Sequence, residues 1–423
     1  MHENIEQKTK VLIVGVNINN MDFFEESMEE LVSLVDACNM EVCGKIIQNL
    51  KAVNKPLYIG SGKVEEVKEK VKECGAEVCI FNNELSPTQL RNLQEDLDMP
   101  ILDKTALILE IFSTRAKTRE AKLQVEVAKL QYMLPRLIGL HESLGRQGGG
   151  SGLSNKGSGE KKLELDRRRI EDKLTELRKE LEEVEQERNT QRKKRDESGI
   201  PKVALVGYTN AGKSTLMNAM VDMFLKDETK KVMEKDMLFA TLETSVRKIT
   251  LENNKSFLLS DTVGFVSGLP HNLIKAFRST LEEVRSADLL LNVVDYSDKN
   301  YEEHIAVTKE TLKGLGADDI PVIYVFNKSD LMLDRLPFID GNEIYISASK
   351  KLGIAELIEL ISSKIFSDYI DCEMLIPFEK GNIVSYFNTN ATIKKTEYEQ
   401  NGTLLTMNCK ISDYNKYLEY VKR

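Results

Sequence analysis

Eight consecutive residues, Gly207-Tyr208-Thr209-Asn210-Ala211-Gly212-Lys213-Ser214, constrain the fold more than any other part of the chain. The glycines let successive backbone N–H groups turn inward around phosphate oxygens. Lys213 has the reach for the β and γ oxygens, and a hydroxyl at Ser214 is suited to ligate Mg²⁺. The apolar run Lys202 to Val206 before the loop reads as a buried parallel strand, and Ser214 to Phe224 as a helix whose N-terminus faces the anion. Thr215 lies in the first turn of that helix and joins the candidate nucleotide contacts. The competing reading is a glycine-rich turn with chance polar loops, and the ordered motifs between Thr241 and Ser349 argue against it.

Asp261-Thr262-Val263-Gly264 closes the mostly apolar strand Phe257 to Ser260. A carboxylate there can hold Mg²⁺ through water, and the Gly264 N–H can meet a γ-phosphate. Upstream, Thr241 sits in a loop long enough to cover the metal, so Ser214, Thr241 and Asp261 form the expected metal set, with Lys213, Thr241 and Gly264 as the catalytic candidates. Asn327-Lys328-Ser329-Asp330 comes next, at the spacing of a base-reading loop. The Asp330 carboxylate can accept from two guanine N–H groups, which adenine does not offer, and leaving it buried and unpaired would cost several kcal/mol. Ser347-Ala348-Ser349 can support the base from its other edge. The implied ligands are GTP and GDP.

Two residues speak to the reaction. Phe265 comes directly after Gly264, where Ras-like enzymes carry the glutamine that orients the attacking water, so hydrolysis is expected to be slow without a partner or a switch rearrangement. Asn210 resembles the asparagine with which some GTPases hold K⁺ beside the phosphates; loop shaping by its side chain is the equal alternative.

At 423 residues the chain is too long for one core and suggests about three domains. Strand and helix alternate over 1–113 (strands at Lys10–Val16, Lys45–Asn49 and Glu77–Phe81; helices at Glu25–Ala37, Lys63–Cys74 and Pro87–Leu97), a small α/β unit. Ile59-Gly60-Ser61-Gly62-Lys63 lacks the full phosphate-loop spacing and reads as a strand-to-helix turn. Over 114–199, Leu123, Val127, Leu130, Leu134 and Leu137 step by four and three, as do Ile170, Leu174, Leu177, Leu181 and Val184. These are two narrow apolar seams that make an antiparallel helical hairpin, with Pro135 expected to kink or weaken the first arm. The nucleotide domain spans 200–368, and 369–423 reads as a small α+β tail with a strand at Thr403–Met407 and a helix at Ser412–Val421. The fold class is therefore α/β and multidomain, with a mostly parallel sheet in the nucleotide domain.

Net charge is −9, but 114–169 holds 13 Lys or Arg against 6 Asp or Glu, a local +7. A basic segment on an acidic protein suits a directed polyanion contact; a basic solvated helix face is the plain alternative. The tip between the arms, Gly148 to Gly159, is glycine-rich and flanked by cations. Arg146, Gly148, Gly149, Gly150, Lys156, Lys161, Lys162 and Arg167 are the candidate RNA contacts, since small residues and cations suit a narrow phosphate-lined cavity. Six cysteines without C-x-x-C spacing read as reduced and structural. There is neither a secretory signal nor an apolar run of membrane-spanning length, which points to the cytosol.

Tyr58-Ile59-Gly60-Ser61-Gly62-Lys63, Leu102 to Leu109, Arg115 to Glu126, Gly207 to Ser214 and Asp261 to Phe265 together resemble the HflX-type GTPases, over nearly the whole chain. The resemblance implies binding to the large ribosomal subunit and its rRNA, splitting of stalled ribosomes, a hairpin loop reaching toward the peptidyl transferase centre, and hydrolysis stimulated by the ribosome. The expected state is a monomer without integral membrane association. Two departures stand out. Gly157-Ser158-Gly159-Glu160-Lys161-Lys162-Leu163-Glu164 replaces Gly-Pro-Gly-Glu-Thr-Gln-Leu-Glu, and Glu243 replaces an aspartate after Thr241. A large-subunit assembly factor and a nucleotide-switched protein-interaction factor are the other readings of the same residues.

Overall fold

In the computed structural model, the residues described are 8–19, 23–146, 156–197, 199–224, 239, 244–251, 255–266 and 278–422. The chain forms two compact units. The first comprises Met1–Lys194, Lys235–Glu243 and Val263–Leu281, and the second Arg195–Glu234, Thr244–Thr262 and Glu282–Arg423.

The first unit is built on a four-stranded parallel sheet of order β2-β1-β3-β4, with β1 Thr9–Ile18, β2 Met40–Leu50, β3 Val78–Phe81 and β4 Ile101–Asp103. Val11 to Val14 are fully buried, as an interior parallel strand covered on both faces requires. Helix α1 (Phe24–Ala37) buries Phe24, Met28, Leu31, Leu34 and Val35, a stripe at helical spacing. It packs so closely on β1 that a Cβ at Gly15 would lie 2.3 Å from the Met28 sulfur. Leu12, Val14, Cys79 and Phe81 share a core with Val64 and Val67 of α2 (Ser61–Cys74) and with Leu93 and Leu97 of α3 (Pro87–Leu97). Pro87 opens α3 and Ser86 and Gln89 close a capping box there, which fixes its start. Gly60 caps α2 as the turn reading required, but no strand runs into it. β2 ends at Leu50, and only an isolated bridge between Asn54 and Tyr58 intervenes.

Helix α4 (Lys104–Arg115), capped by the Asp103 carboxylate, leads into α5 (Arg119–Arg146), and α6 (Lys156–Glu197) returns antiparallel to it. Leu123 and Val127 pack against Leu174 and Leu177, flanked by Leu130, Leu134, Ile170, Leu181 and Val184, the two seams read from the sequence. Arg119 pairs with Glu180 at 3.1 Å, and Arg188 with Glu120 at 2.8 Å. Pro135 does not interrupt the arm; α5 runs through it. A single lost amide in the interior of a 28-residue helix is outweighed by the packing of its seam.

The second unit carries a seven-stranded sheet of order β10-β11-β9-β8-β5-β7-β6. Its strands are β5 Lys202–Val206, β6 Ser245–Thr250, β7 Ser256–Asp261, β8 Leu289–Asp295, β9 Val322–Asn327, β10 Phe338–Asp340 and β11 Glu343–Tyr345. Pairing is parallel throughout except for the two edge strands, β6 and β10. The core joins Val203, Leu205, Leu291, Val293 and Ile323 to α7 (Lys213–Phe224) and to the helix Ile354–Ile365. The tail adds an antiparallel sheet of order β12-β14-β13 (β12 Tyr369–Ile376, β13 Thr392–Glu399, β14 Gly402–Lys410) under the helix Gly381–Asn390. The terminal helix is shorter than the sequence suggested, ending at Lys416, with a single 3-10 turn at Leu418–Tyr420.

Leu177 is 2% exposed at the centre of the seam. Leu177→Ala is expected to destabilise the hairpin by about 2–4 kcal/mol, read as lost hydrogen-exchange protection along α5 and α6 with GDP affinity unchanged. Wild-type protection in the variant would contradict this packing.

Candidate nucleotide site

Three strands end at the carboxyl edge of the large sheet, β7 and β5 adjacent and β9 one strand further across β8, each delivering a site loop: β5 the Gly207–Ser214 loop, β7 Asp261 and β9 Asn327. This edge is where open parallel sheets place their ligands. Gly207 (φ +136°) and Gly212 (φ +90°) have no substitute there. A Cβ on Gly207 would stand 2.2 Å from the Val293 carbonyl of the neighbouring strand, and one on Gly212 would stand 2.2 Å from Asn327 Nδ2. Asn210 also takes a left-handed conformation, φ 58°.

Lys213 is buried, and its Nζ donates to the carbonyls of Gly207 (3.0 Å) and Tyr208 (2.6 Å), at the centre of the loop. Burial pulls its pKa down to about 8, with Asp261 opposing the shift. Next to it the Ser214 hydroxyl donates to Asp261 Oδ2 at 2.7 Å, bringing together two of the three expected metal ligands. Thr262 Oγ1 donates to the Leu205 carbonyl at 2.6 Å and locks the end of β7 to β5. Thr209 Oγ1 and Asn292 Oδ1 are buried beside this loop with no hydrogen-bond partner among the described residues. Thr215 lies half-buried in the first turn of α7.

The Asn327 side chain spans three loops. Its Nδ2 donates to the Ala211 carbonyl and its Oδ1 accepts from the Ala348 N–H, both at 2.9 Å. Ser347 and Ser349 hydroxyls lie 3.4 Å apart in the same loop. Asp330 Oδ2 meets Lys350 Nζ at 2.8 Å, and that ammonium holds the carboxyl below its usual range. Lys328 (φ 58°) pairs with Asp295 Oδ2 at 2.7 Å. The motifs did not single out Asp295 or His304. The His304 ring stacks on Tyr208 at 3.9 Å with planes 12° apart, and no local signal joins two residues so far apart in sequence.

Some expected residues are elsewhere. Thr241 lies outside the described residues, as do Gly148, Gly149 and Gly150 and the side chains of Arg146, Lys156, Lys161 and Lys162. Gly264 and Phe265 belong to the first compact unit, where Phe265 is buried. Arg167 is half-exposed and committed to ion pairs along its own helix, with Glu171 at 2.9 Å and Glu164 at 3.9 Å.

Strand order, phosphate loop and base loop define a P-loop GTPase. Residues 25–113 match the family described as the N-terminal region of GTP-binding GTPases, 115–195 its middle region, and 202–328 the 50S ribosome-binding GTPases. The GTPase HflX of Caldanaerobacter subterraneus is 42% identical over 95% of this chain and 91% of its own length. That of Escherichia coli is 37% identical over 90% and 88%. The chain belongs to the HflX family of GTPases, which hydrolyse GTP to GDP. A GTP-binding protein from Sulfolobus solfataricus, solved with GDP, is 25% identical over 85% of this chain and 99% of its own, with a TM-score of 0.42. No helix among the described residues is long and apolar enough to cross a membrane.

Gly212→Ala drives a methyl into the Asn327 amide, and it is expected to lower GDP affinity by about 100-fold or more, worth about 3 kcal/mol, without altering the far-UV circular dichroism. Near-wild-type affinity by calorimetry would overturn the account of this contact.

Proposed function

We propose that this chain is a ribosome-associated GTPase of the cytosol, acting as a monomer, that binds the large subunit and its rRNA through the hairpin and splits stalled or idle ribosomes. The observation that carries the nucleotide half is the Asn327 bridge, which couples the phosphate loop to the Ala348 loop; beside it the Lys350 ammonium keeps Asp330 ionised to accept from guanine. Supporting the ribosome half are the match of residues 202–328 to 50S ribosome-binding GTPases and the basic segment of the hairpin.

The contacts to nucleotide are Gly207, Tyr208, Thr209, Asn210, Ala211, Gly212, Lys213, Ser214 and Thr215 for the phosphates, and Asn327, Lys328, Asp330, Ser347, Ala348 and Ser349 for the base. The oxygens of Ser214 and Asp261, 2.7 Å apart, are hard ligands that suit Mg²⁺, with Thr241 as third ligand. Mg²⁺ held by these residues would supply neutralising charge to the phosphates during transfer. Lys213 holds those oxygens from the loop side, and the Gly264 N–H receives the γ-phosphate. Phe265 offers the attacking water no hydrogen bond, so turnover waits on the ribosome. Asn210 is the K⁺ candidate, and turnover compared in K⁺ and Na⁺ tests it. Binding favours the GTP state and hydrolysis resets it.

Steady-state GTP turnover with and without large subunits, at one fixed salt, tests this reading. Stimulation of at least about tenfold is expected, well within what an orienting or charge-stabilising group supplies. No stimulation with GTP binding intact would sink it in favour of a protein-switch role, and stimulation by immature particles alone would favour subunit assembly. Asp330→Asn is expected to weaken GTP by about 100-fold and to admit xanthine nucleotides, because its amide donates to the extra carbonyl; unchanged GTP affinity would remove Asp330 from the base site.

A further inference from the structure

A cavity of about 420 Å³ in the first compact unit has no part in the nucleotide chemistry. Its size is that of a small-molecule site. It lies beyond the carboxyl ends of the small parallel sheet, lined by Tyr58 from the connection after β2, by Glu84 and Leu85 after β3, and by Thr105 after β4. The chain passes from β1 out to β2 and then back to β3 on the other side of β1, so Tyr58 and Glu84 come from opposite sides of the reversal. Crevices at such reversals are where open α/β sheets hold ligands. Gln131, Tyr132 and Arg136 of α5 complete the wall.

Tyr58 belongs to the Tyr58–Lys63 string that the nucleotide site leaves unused. It holds φ 67°, rare for a residue with a large side chain, and paired backbone hydrogen bonds with Asn54 keep it there. The residue is 7% exposed, its ring edge-on to Phe81, and its hydroxyl has no hydrogen-bond partner among the described residues. Burial pushes that phenol up to about 12, so it stays a neutral hydroxyl at physiological pH, able to accept as well as donate. The ring is buried and held in a strained conformation, while its hydroxyl stays uncommitted on the cavity wall, where a ligand can reach it.

The charges decide the class of that ligand. The Arg136 guanidinium is spent: it donates to the carbonyls of Tyr132 (2.8 Å) and Leu85 (3.1 Å) and to Asp103 (3.1 Å), and it lies 3.3 Å over the Tyr132 ring. Its leftover Nε has no access to solvent. Asp103 is saturated, accepting also from Leu85 N, Ala106 N and the Tyr132 hydroxyl. Glu84, by contrast, makes no hydrogen bond or ion pair among the described residues, and burial followed by the nearby Asp103 raises its carboxyl pKa, with the Arg136 charge only partly opposing them. The Gln131 amide is likewise uncommitted. Because Pro135 carries no N–H, the Gln131 carbonyl also lacks its helical donor. The free groups can thus all accept, around one carboxylate without a hydrogen-bonded partner, set among apolar walls from Val53, Leu85, Pro87 and Ala128.

We propose that this cavity binds a small organic cation, an ammonium or amidinium group on a flat apolar body, with the cation at Glu84 and the body against Tyr58. Benzamidine, benzamide and benzoate share one flat body and differ in charge, so they test the class directly. Each is titrated into the full chain saturated with Mg²⁺ and GDP, followed by ligand-observed saturation-transfer NMR; the filled nucleotide site keeps the result independent of the GTPase reading. Benzamidine is expected to saturate about tenfold more tightly than benzamide, and benzoate not at all. Glu84→Gln, a near-isosteric change at an exposed position, is expected to erase that tenfold advantage with GDP affinity unchanged. Tyr58→Phe is expected to weaken benzamidine several-fold. Equal binding of the cation and the neutral amide, preference for benzoate, indifference to Glu84→Gln, or no binding by any of the three would each overturn the proposal.

Discussion

The carboxamide of Asn327 is the contact on which the nucleotide site depends. It has one donor end and one acceptor end in use, and the partners belong to the phosphate loop and to the Ala348 loop. A hydrogen bond of this kind contributes only about 1 kcal/mol net, but removing one partner strands buried polar groups at about 1–3 kcal/mol each. The arrangement is therefore close to all-or-none. It also dictates Gly212, since the amide occupies the space that any side chain there would need. One polar side chain at the end of β9 thus accounts for a glycine 115 positions earlier in the chain.

Parallel pairing explains why those loops meet at all. β5, β8 and β9 run in the same direction beside β7, so their carboxyl ends share one edge, and short connections from that edge converge. The antiparallel strands, β6 and β10, sit at the rims, where reversing direction does not disturb the convergence. The small sheet of the first unit obeys the same rule, and its carboxyl edge is the one that opens into a cavity.

Much of the site was legible because its chemistry is local. Backbone turns, a lysine and a hydroxyl at fixed spacing declare a phosphate loop wherever they stand, and the hairpin seams declare themselves by period. What stayed hidden depends on distant partners. Lys328 is engaged by Asp295, Asp330 by Lys350, and Tyr208 by His304, none of which a linear spacing encodes. Pro135 falls inside α5 without ending it, because the seam that holds the arm together outweighs one lost amide. In the tail, β13 escaped notice because it is an edge strand with Lys394 to Tyr398 exposed, so it lacks the alternation that marks a half-buried strand.

The arginines in the N-terminal third of α6 have a consequence for how the hairpin would meet a polyanion. Arg167, Arg168 and Arg169 each hold a carboxylate of their own helix, Glu171, Glu164 and Asp166. When such an arginine turns to a nucleic-acid phosphate it exchanges one anion for another, and the displaced carboxylate stays tethered close by. The usual gain on binding nucleic acid is the release of small ions into solution, and its size grows with the number of phosphates neutralised. Those ions are the cations condensed on the nucleic acid, and a displaced carboxylate held close by retains some of them. Attraction of a polyanion through these three residues should fade less with added salt than their charge would suggest.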